Sequence, residues 1–330
     1  MRTTGASIDP RSDFKPVRIL MRTLQNPPRH NRCMPHLSHA AALPALGALI
    51  NATIWGLSWY PLRWLEARGI PSLWATWFVF AACAVAVLIA RPGSAKLLWQ
   101  HRATLGWLVF ASGMTNACFN TALATGDVVR AVLLFYLMPM WVVLLARWLL
   151  AERITPAALA RTALALIGAA LVLGGGELRF PIPNSWADWL AVAGGFFFGL
   201  NNVILRKYSA TPEEARALGM FIGAVIIAPM VIVSLALLGK PLTLAPQPVA
   251  WLGIALFAAF VLVGNLALQY GASRLPANVL STLMLAEILV ATLSSWLGGA
   301  ATITQSALIG GAFIVSASLL AIFSKGPAST

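Results

Sequence analysis

From about residue 40 onward the chain is a succession of long apolar runs broken by short polar, Gly- or Pro-bearing stretches. Ten runs reach the roughly 18–25 residues that a helix rising 1.5 Å per residue needs to cross ~30 Å of hydrocarbon. They cover 41–63, 72–90, 104–124, 130–150, 156–174, 186–206, 215–238, 249–270, 277–298 and 303–323. Between them stand breakers such as Arg91-Pro92-Gly93, Gly174-Gly175-Gly176, Gly239-Lys240-Pro241 and Gly298-Gly299, where an apolar helix stops readily. The pattern predicts an all-α integral membrane protein of ten transmembrane helices, with no space for a separate soluble domain.

Composition agrees with that reading. Of 330 residues, 59% are hydrophobic and 10% charged, against about 25% charged in a soluble protein. The net charge of +13 would point to nucleic acid in a soluble chain, but its placement points to the membrane instead. With a cytoplasmic amino terminus, only Arg63, Arg68, Arg130, Arg179 and Lys240 of the 23 Lys and Arg fall on the far side. The positive-inside rule therefore predicts a multi-pass protein of the inner (plasma) membrane with both termini cytoplasmic, and no nucleic-acid partner.

Residues 1–39 are polar and basic and lack the apolar core of a secretory signal. Arg18, Arg22, Arg29 and Arg32 suit contact with anionic lipid; equally, translation from Met21 or Met34 would make this tail an artefact of the assigned start. Cys33, Cys83 and Cys118 have no metal or redox spacing and read as packing residues.

The two halves of the chain echo one another. WGLSWYPLR (Trp55 to Arg63) aligns without gaps with FGLNNVILR (Phe198 to Arg206), and at an offset of 149 Asn116 falls on Asn265, Thr155 on Thr304, Ala158 on Ala307 and Leu159 on Leu308. The sequence thus divides into the tail, 1–39, and two five-helix repeats, 40–176 and 185–325. Because five is odd, the second copy enters the membrane from the other side. Inverted repeats of this kind are the architecture of many secondary transporters.

The Trp55-Gly56 pair in the first run and LMPMWVVLLARWLLAERIT (Leu137 to Thr155), with Pro139 followed by Glu152-Arg153 at the end of the fourth run, resemble the EamA-type members of the drug/metabolite transporter superfamily. The resemblance covers about residues 40–325. It implies export of amino acids, other metabolites or toxic compounds; aromatic amino-acid exporters of the YddG type are among the family's members. In the ninth run such proteins often carry Leu-Glu-Pro and a Gly-Glu end; here Glu287 is kept, but Ile288 replaces the proline and Ala300-Ala301 the end motif. A kink in the ninth helix is therefore not implied by a proline.

Nine of the ten acidic residues lie in the tail or at the ends of runs; Glu287 alone sits mid-run. A charge there costs about 2.5–3.5 kcal/mol on insertion scales, so its carboxyl is expected to face protein or water. One role is to bind a substrate ammonium or exchange a proton; the other is to tie helices together as a protonated group. Asn116 and Asn120, and Asn265 and Gln269, pair at i, i+4 and so share helix faces. Such amides suit a zwitterion, which needs both donors and acceptors, and also serve as interhelical glue. Asn51, Trp55 and Ser58 or Trp59 follow helical spacing, Tyr136 and Trp141 flank Pro139, and Asn201 and Asn202 lie in the repeat of that first segment. An aromatic wall from Trp55, Trp59 and Trp141 would stack on an aromatic or cationic cargo. Pro139 and Pro229 free the carbonyls of Phe135 and Val225 and are candidate hinges or static kinks.

The reading is a non-enzymatic carrier with no cofactor or metal. It moves a small molecule, an amino acid or similar amphiphile, outward by alternating access. Coupling is to protons or to the cargo's own gradient, since no phosphate-binding Walker loop is present. The alternatives are a channel, a membrane-embedded enzyme, a toxic-cation exporter or an importer. The four His lie at positions 30, 36, 39 and 101, where no metal cluster or nucleophile elbow forms. Oligomeric state is not specified by the sequence.

Overall fold

The computed structural model describes residues 39–174, 182–239, 242–299 and 302–323. Residues 1–38, and with them the starts at Met21 and Met34, lie outside the described residues, as do Arg179, Lys240 and Ala300-Ala301. Every regular element among the described residues is helical.

The first crossing is two helices, α1 (His39–Leu57) and α2 (Trp59–Glu66), and the second is α3 (Ser72–Ala90). A short helix, α4 (Ser94–Gln100), precedes α5 (Arg102–Thr125). The fourth run is again divided, into α6 (Val128–Phe135) and α7 (Met138–Leu149), and the fifth is α8 (Pro156–Leu173). The second half runs α9 (Trp186–Lys207), α10 (Glu213–Leu237) and α11 (Pro248–Ala272). It closes with a divided pair, α12 (Ala277–Met284) and α13 (Ala286–Leu297), followed by α14 (Gln305–Phe323).

Among the described residues nine segments are long and apolar enough to cross a membrane. The third run predicted from sequence, α5, is a continuous helix of 24 residues. It stands outside that group because Thr115, Asn116, Asn120, Thr121 and Thr125 lower its apolarity. Large apolar side chains point outward all around the bundle, Leu43, Ile89, Phe260 and Leu308 among them, as a protein solvated by lipid tails requires. Trp99, Trp148, Trp186 and Trp296 are exposed near helix ends, where indoles anchor at the membrane surface.

Local chemistry sets the helix starts. Asp127 accepts from the Arg130 N–H (2.8 Å), Thr155 from Ala158 (3.1 Å) and Ser185 from Asp188 (3.2 Å), each satisfying a donor that the first turn leaves free. The buried Asp188 carboxylate also takes Arg130 at 2.7 Å, tying the start of α6 to that of α9. At the opposite end of α9, buried Arg216 gathers the carbonyls of Ser209 (2.6 Å) and Thr211 (2.7 Å), and Arg206 donates to Ser273 O at 2.7 Å.

Close packing sets the partners. α1 lies on α11 and α13; α9 lies on α5, α6 and α7; α3 packs on α10 and α11, and α10 on α5; α7 meets α12, and α8 meets α14. At the α8·α14 crossing a methyl added to Gly168 would come 2.6 Å from the Gly310 carbonyl, and one added to Gly310 2.4 Å from that of Gly168. Neither position has room for a side chain, so the two backbones touch.

Candidate functional site

Besides the first run, divided at Ser58, two further runs are broken in mid-course. In the fourth, Tyr136 and Leu137 separate α6 from α7, and Pro139 in the first turn of α7 accounts for the break by removing a backbone donor. In the ninth, Leu285 alone separates α12 from α13, with Ile288 where a proline was wanting. Here the Ser281 and Thr282 hydroxyls both bond back to the Asn278 carbonyl (3.1 and 2.9 Å), and Leu285 N reaches only to Thr282 O, at 3.2 Å. Hydroxyls that compete for helix carbonyls bend helices without proline.

The breaks bring Tyr136 and Glu287 together. Tyr136 is buried beside Leu285 and Ile288 in an apolar cluster, and its hydroxyl lies close to the Glu287 carboxyl. Glu287 lies in the first turn of α13, half-buried, where the positive end of the helix favours a carboxylate. The first crossing closes over this point: a methyl on Gly56 would meet the Glu287 carbonyl and Val290 Cβ, both at 2.7 Å.

The predicted amides behave in two ways. Asn116 and Asn265 turn back on their own helices, Nδ2 donating to Ser112 O (3.0 Å) and Val261 O (2.9 Å), while Asn120 is half-buried. Asn51 (0% exposed), Gln269 (3%) and Asn201 (2%) are buried with at least one amide atom lacking any protein partner, as is Asn202 (0%). An unsatisfied buried amide costs roughly 1–3 kcal/mol in protein mutational data, so these groups call for water or a ligand. The Asn51 amide lies beside Gly264, at the seam of α1 and α11.

The expected aromatic wall does not assemble. Trp55 packs on Phe80 of α3 with ring centroids 6.4 Å apart; Trp59 donates to Ser294 Oγ (2.9 Å); Trp141 packs on Phe196 at 5.6 Å. Between Trp55 and Trp59 the chain turns at Ser58, whose N–H and hydroxyl both return to the Trp55 carbonyl (3.0 and 2.6 Å).

The two proline-freed carbonyls have different surroundings. Phe135 O lies against Gly195, 2.4 Å from where a methyl would stand, and Val225 O accepts the Trp77 indole N–H at 3.1 Å.

Sequence reasoning missed a second cluster, at the α7·α12 contact. Ala151 has φ 55, so the chain turns sharply after α7 and Glu152 N–H returns to Ala146 O at 3.2 Å. This aims the Glu152 carboxyl at the Ala277 N–H that begins α12, and near Arg206; burial nonetheless raises it above the ordinary Glu range. Nearby in sequence, Arg161 is buried (8% exposed) with its Nε unpartnered, as are Asn278 Oδ1 and Ser318 Oγ. A cation at the start of an apolar run was the available signal for Arg161.

The architecture and the polar seam define the class: an all-helical, multi-pass membrane protein. Within it, residues 42–174 match the EamA-like transporter family. A solved structure described as "Crystal structure of protein" shares the fold, with a TM-score of 0.71 at 21% sequence identity over 85% of this chain and 96% of that chain. No curated protein matches the chain.

Proposed function

We propose that the protein is a secondary transporter moving a small metabolite by alternating access through the seam between two five-crossing halves. The observation that carries this reading is the Tyr136–Glu287 pair at facing breaks in two crossings. Interrupted helices and a mid-membrane carboxylate are where carriers place cargo and coupling ions. The family match of residues 42–174 supports the same reading.

The inverted repeat is supported by the packing. Adding five crossings to first-with-eighth gives sixth-with-third; first-with-ninth gives sixth-with-fourth; second-with-eighth gives seventh-with-third, and all six contacts occur. Gly56 and Gly199, equivalent in the aligned strings, rest against Val290 and Trp141, which are equivalent at the offset of 149. In this reading α5 is the third crossing, and the Lys and Arg distribution argues for both termini in the cytoplasm. Glu287 receives the ammonium of an amino acid or similar amphiphile, or exchanges its proton during export. The unpartnered amides of Asn51, Gln269 and Asn201 meet the cargo's carboxylate.

The test begins with metabolites compared in medium and cytosol of cells with and without the protein, where one compound is expected to rise selectively outside. That compound is then followed in proteoliposomes. Saturable counterflow in the native chain and loss of pH-gradient-driven accumulation in Glu287→Gln are expected. Wild-type rates in both Glu287→Gln and Glu287→Ala overturn the role of Glu287, and non-saturable flux overturns the carrier.

A further inference from the structure

One cavity among the described residues lies where the first crossing meets α11 and α13, and neither Tyr136 nor Glu287 lines it. It is a groove of about 610 Å³ between α2, the first half of α11 and the end of α13, open to the surroundings. Its walls are apolar side chains that stand exposed, Leu252, Leu256 and Phe260 among them. Along α11 it runs from Val249 to Phe260, which at 1.5 Å per residue is about 16 Å, half of the ~30 Å hydrocarbon layer. The groove is as deep as one leaflet.

Its mouth is cationic. The wall rings of Trp59 and Trp64 each carry an arginine, Arg63 with its guanidinium carbon 5.9 Å from the Trp59 ring centre and Arg68 at 3.7 Å from that of Trp64. Neither makes an ion pair with any described residue. The intervening Glu66 is exposed and accepts from the Ser72 hydroxyl at 3.4 Å. Arg68 NH1 donates to Trp64 O at 3.1 Å, which holds that guanidinium at the mouth.

We propose that this groove is a binding site for an anionic phospholipid of the surrounding bilayer, one acyl chain lying along α11 and the phosphate headgroup held by Arg63 and Arg68. Apolar depth matched to a leaflet fits the chain, and two guanidiniums without an ion pair among the described residues, each on an indole ring of the kind that favours the headgroup region, fit the phosphate.

Native mass spectrometry of the purified, delipidated full chain, given phosphatidylglycerol or phosphatidylcholine of equal chain length, tests this. Phosphatidylglycerol is expected to be retained preferentially. Arg63→Gln with Arg68→Gln should lower its occupancy roughly five-fold for each charge removed and leave phosphatidylcholine unchanged, while Arg63→Lys with Arg68→Lys should keep most of the preference. Leu256→Trp, at an exposed position that fills the groove, should lower both lipids. Equal retention of the two lipids by the native chain overturns the proposal, as does an unchanged preference in the double glutamine variant or full occupancy in Leu256→Trp.

Discussion

Glu152 illustrates how one side chain couples two helices through its environment. Burial raises its carboxyl, outweighing the Ala277 N–H and the Arg206 charge. Such a group binds its proton more tightly folded than unfolded. Its stabilisation is complete below the ordinary Glu range and is lost as pH rises through the raised value. The thermal midpoint of the native chain in detergent should therefore fall across that interval relative to Glu152→Gln, which keeps an acceptor for Ala277 and does not titrate. Superimposable pH profiles would mean that the carboxyl is solvated. At this scale the sequence was partly legible: Glu287 stood out as the one acid inside an apolar run, whereas its pairing with Tyr136 depends on two breaks meeting across the bundle. Glu152 was legible only as a helix-end residue, because its direction follows from the left-handed Ala151.

Among elements, backbone contact does what hydrophobic sorting cannot, since lipid tails are as apolar as the helices they surround. The α8·α14 crossing rests on Gly168 and Gly310, each with the other's carbonyl where a side chain would stand. Gly168→Leu should lower stability by about 1–3 kcal/mol or more through overpacking, read as a lower midpoint in unfolding by sodium dodecyl sulfate. A surface substitution such as Leu159→Ala should leave it within about 0.5 kcal/mol. An unshifted midpoint in Gly168→Leu would mean that the helices separate freely there. The extents of the runs were readable from hydropathy alone, and the break after Phe135 from Pro139. The break at Leu285 was not, because it arises from the Ser281 and Thr282 hydroxyls rather than from a proline. Nor was the turn at Ser58.

For the molecule as a whole, the carrier reading requires the two halves to run in opposite directions across the bilayer. Single cysteines at Glu66 and Lys207, both exposed helix-end positions, should then react with a membrane-impermeant maleimide from opposite sides in oriented vesicles. Reaction of both from one side would end the inverted arrangement. Hydropathy showed that the chain lives in the membrane, and faint internal identities hinted at two copies. Which helices touch is set by long-range packing, which periodicity does not encode.

The indole of Trp77, seated on the carbonyl that Pro229 sets free, bolts the bend of α10 to α3. A bend whose spare acceptor is already taken has nothing to gain by flexing. On the alternating-access reading these two helices would then travel as one stiff strut, and any rocking would pivot elsewhere, as at Leu285, the single residue that joins α12 to α13.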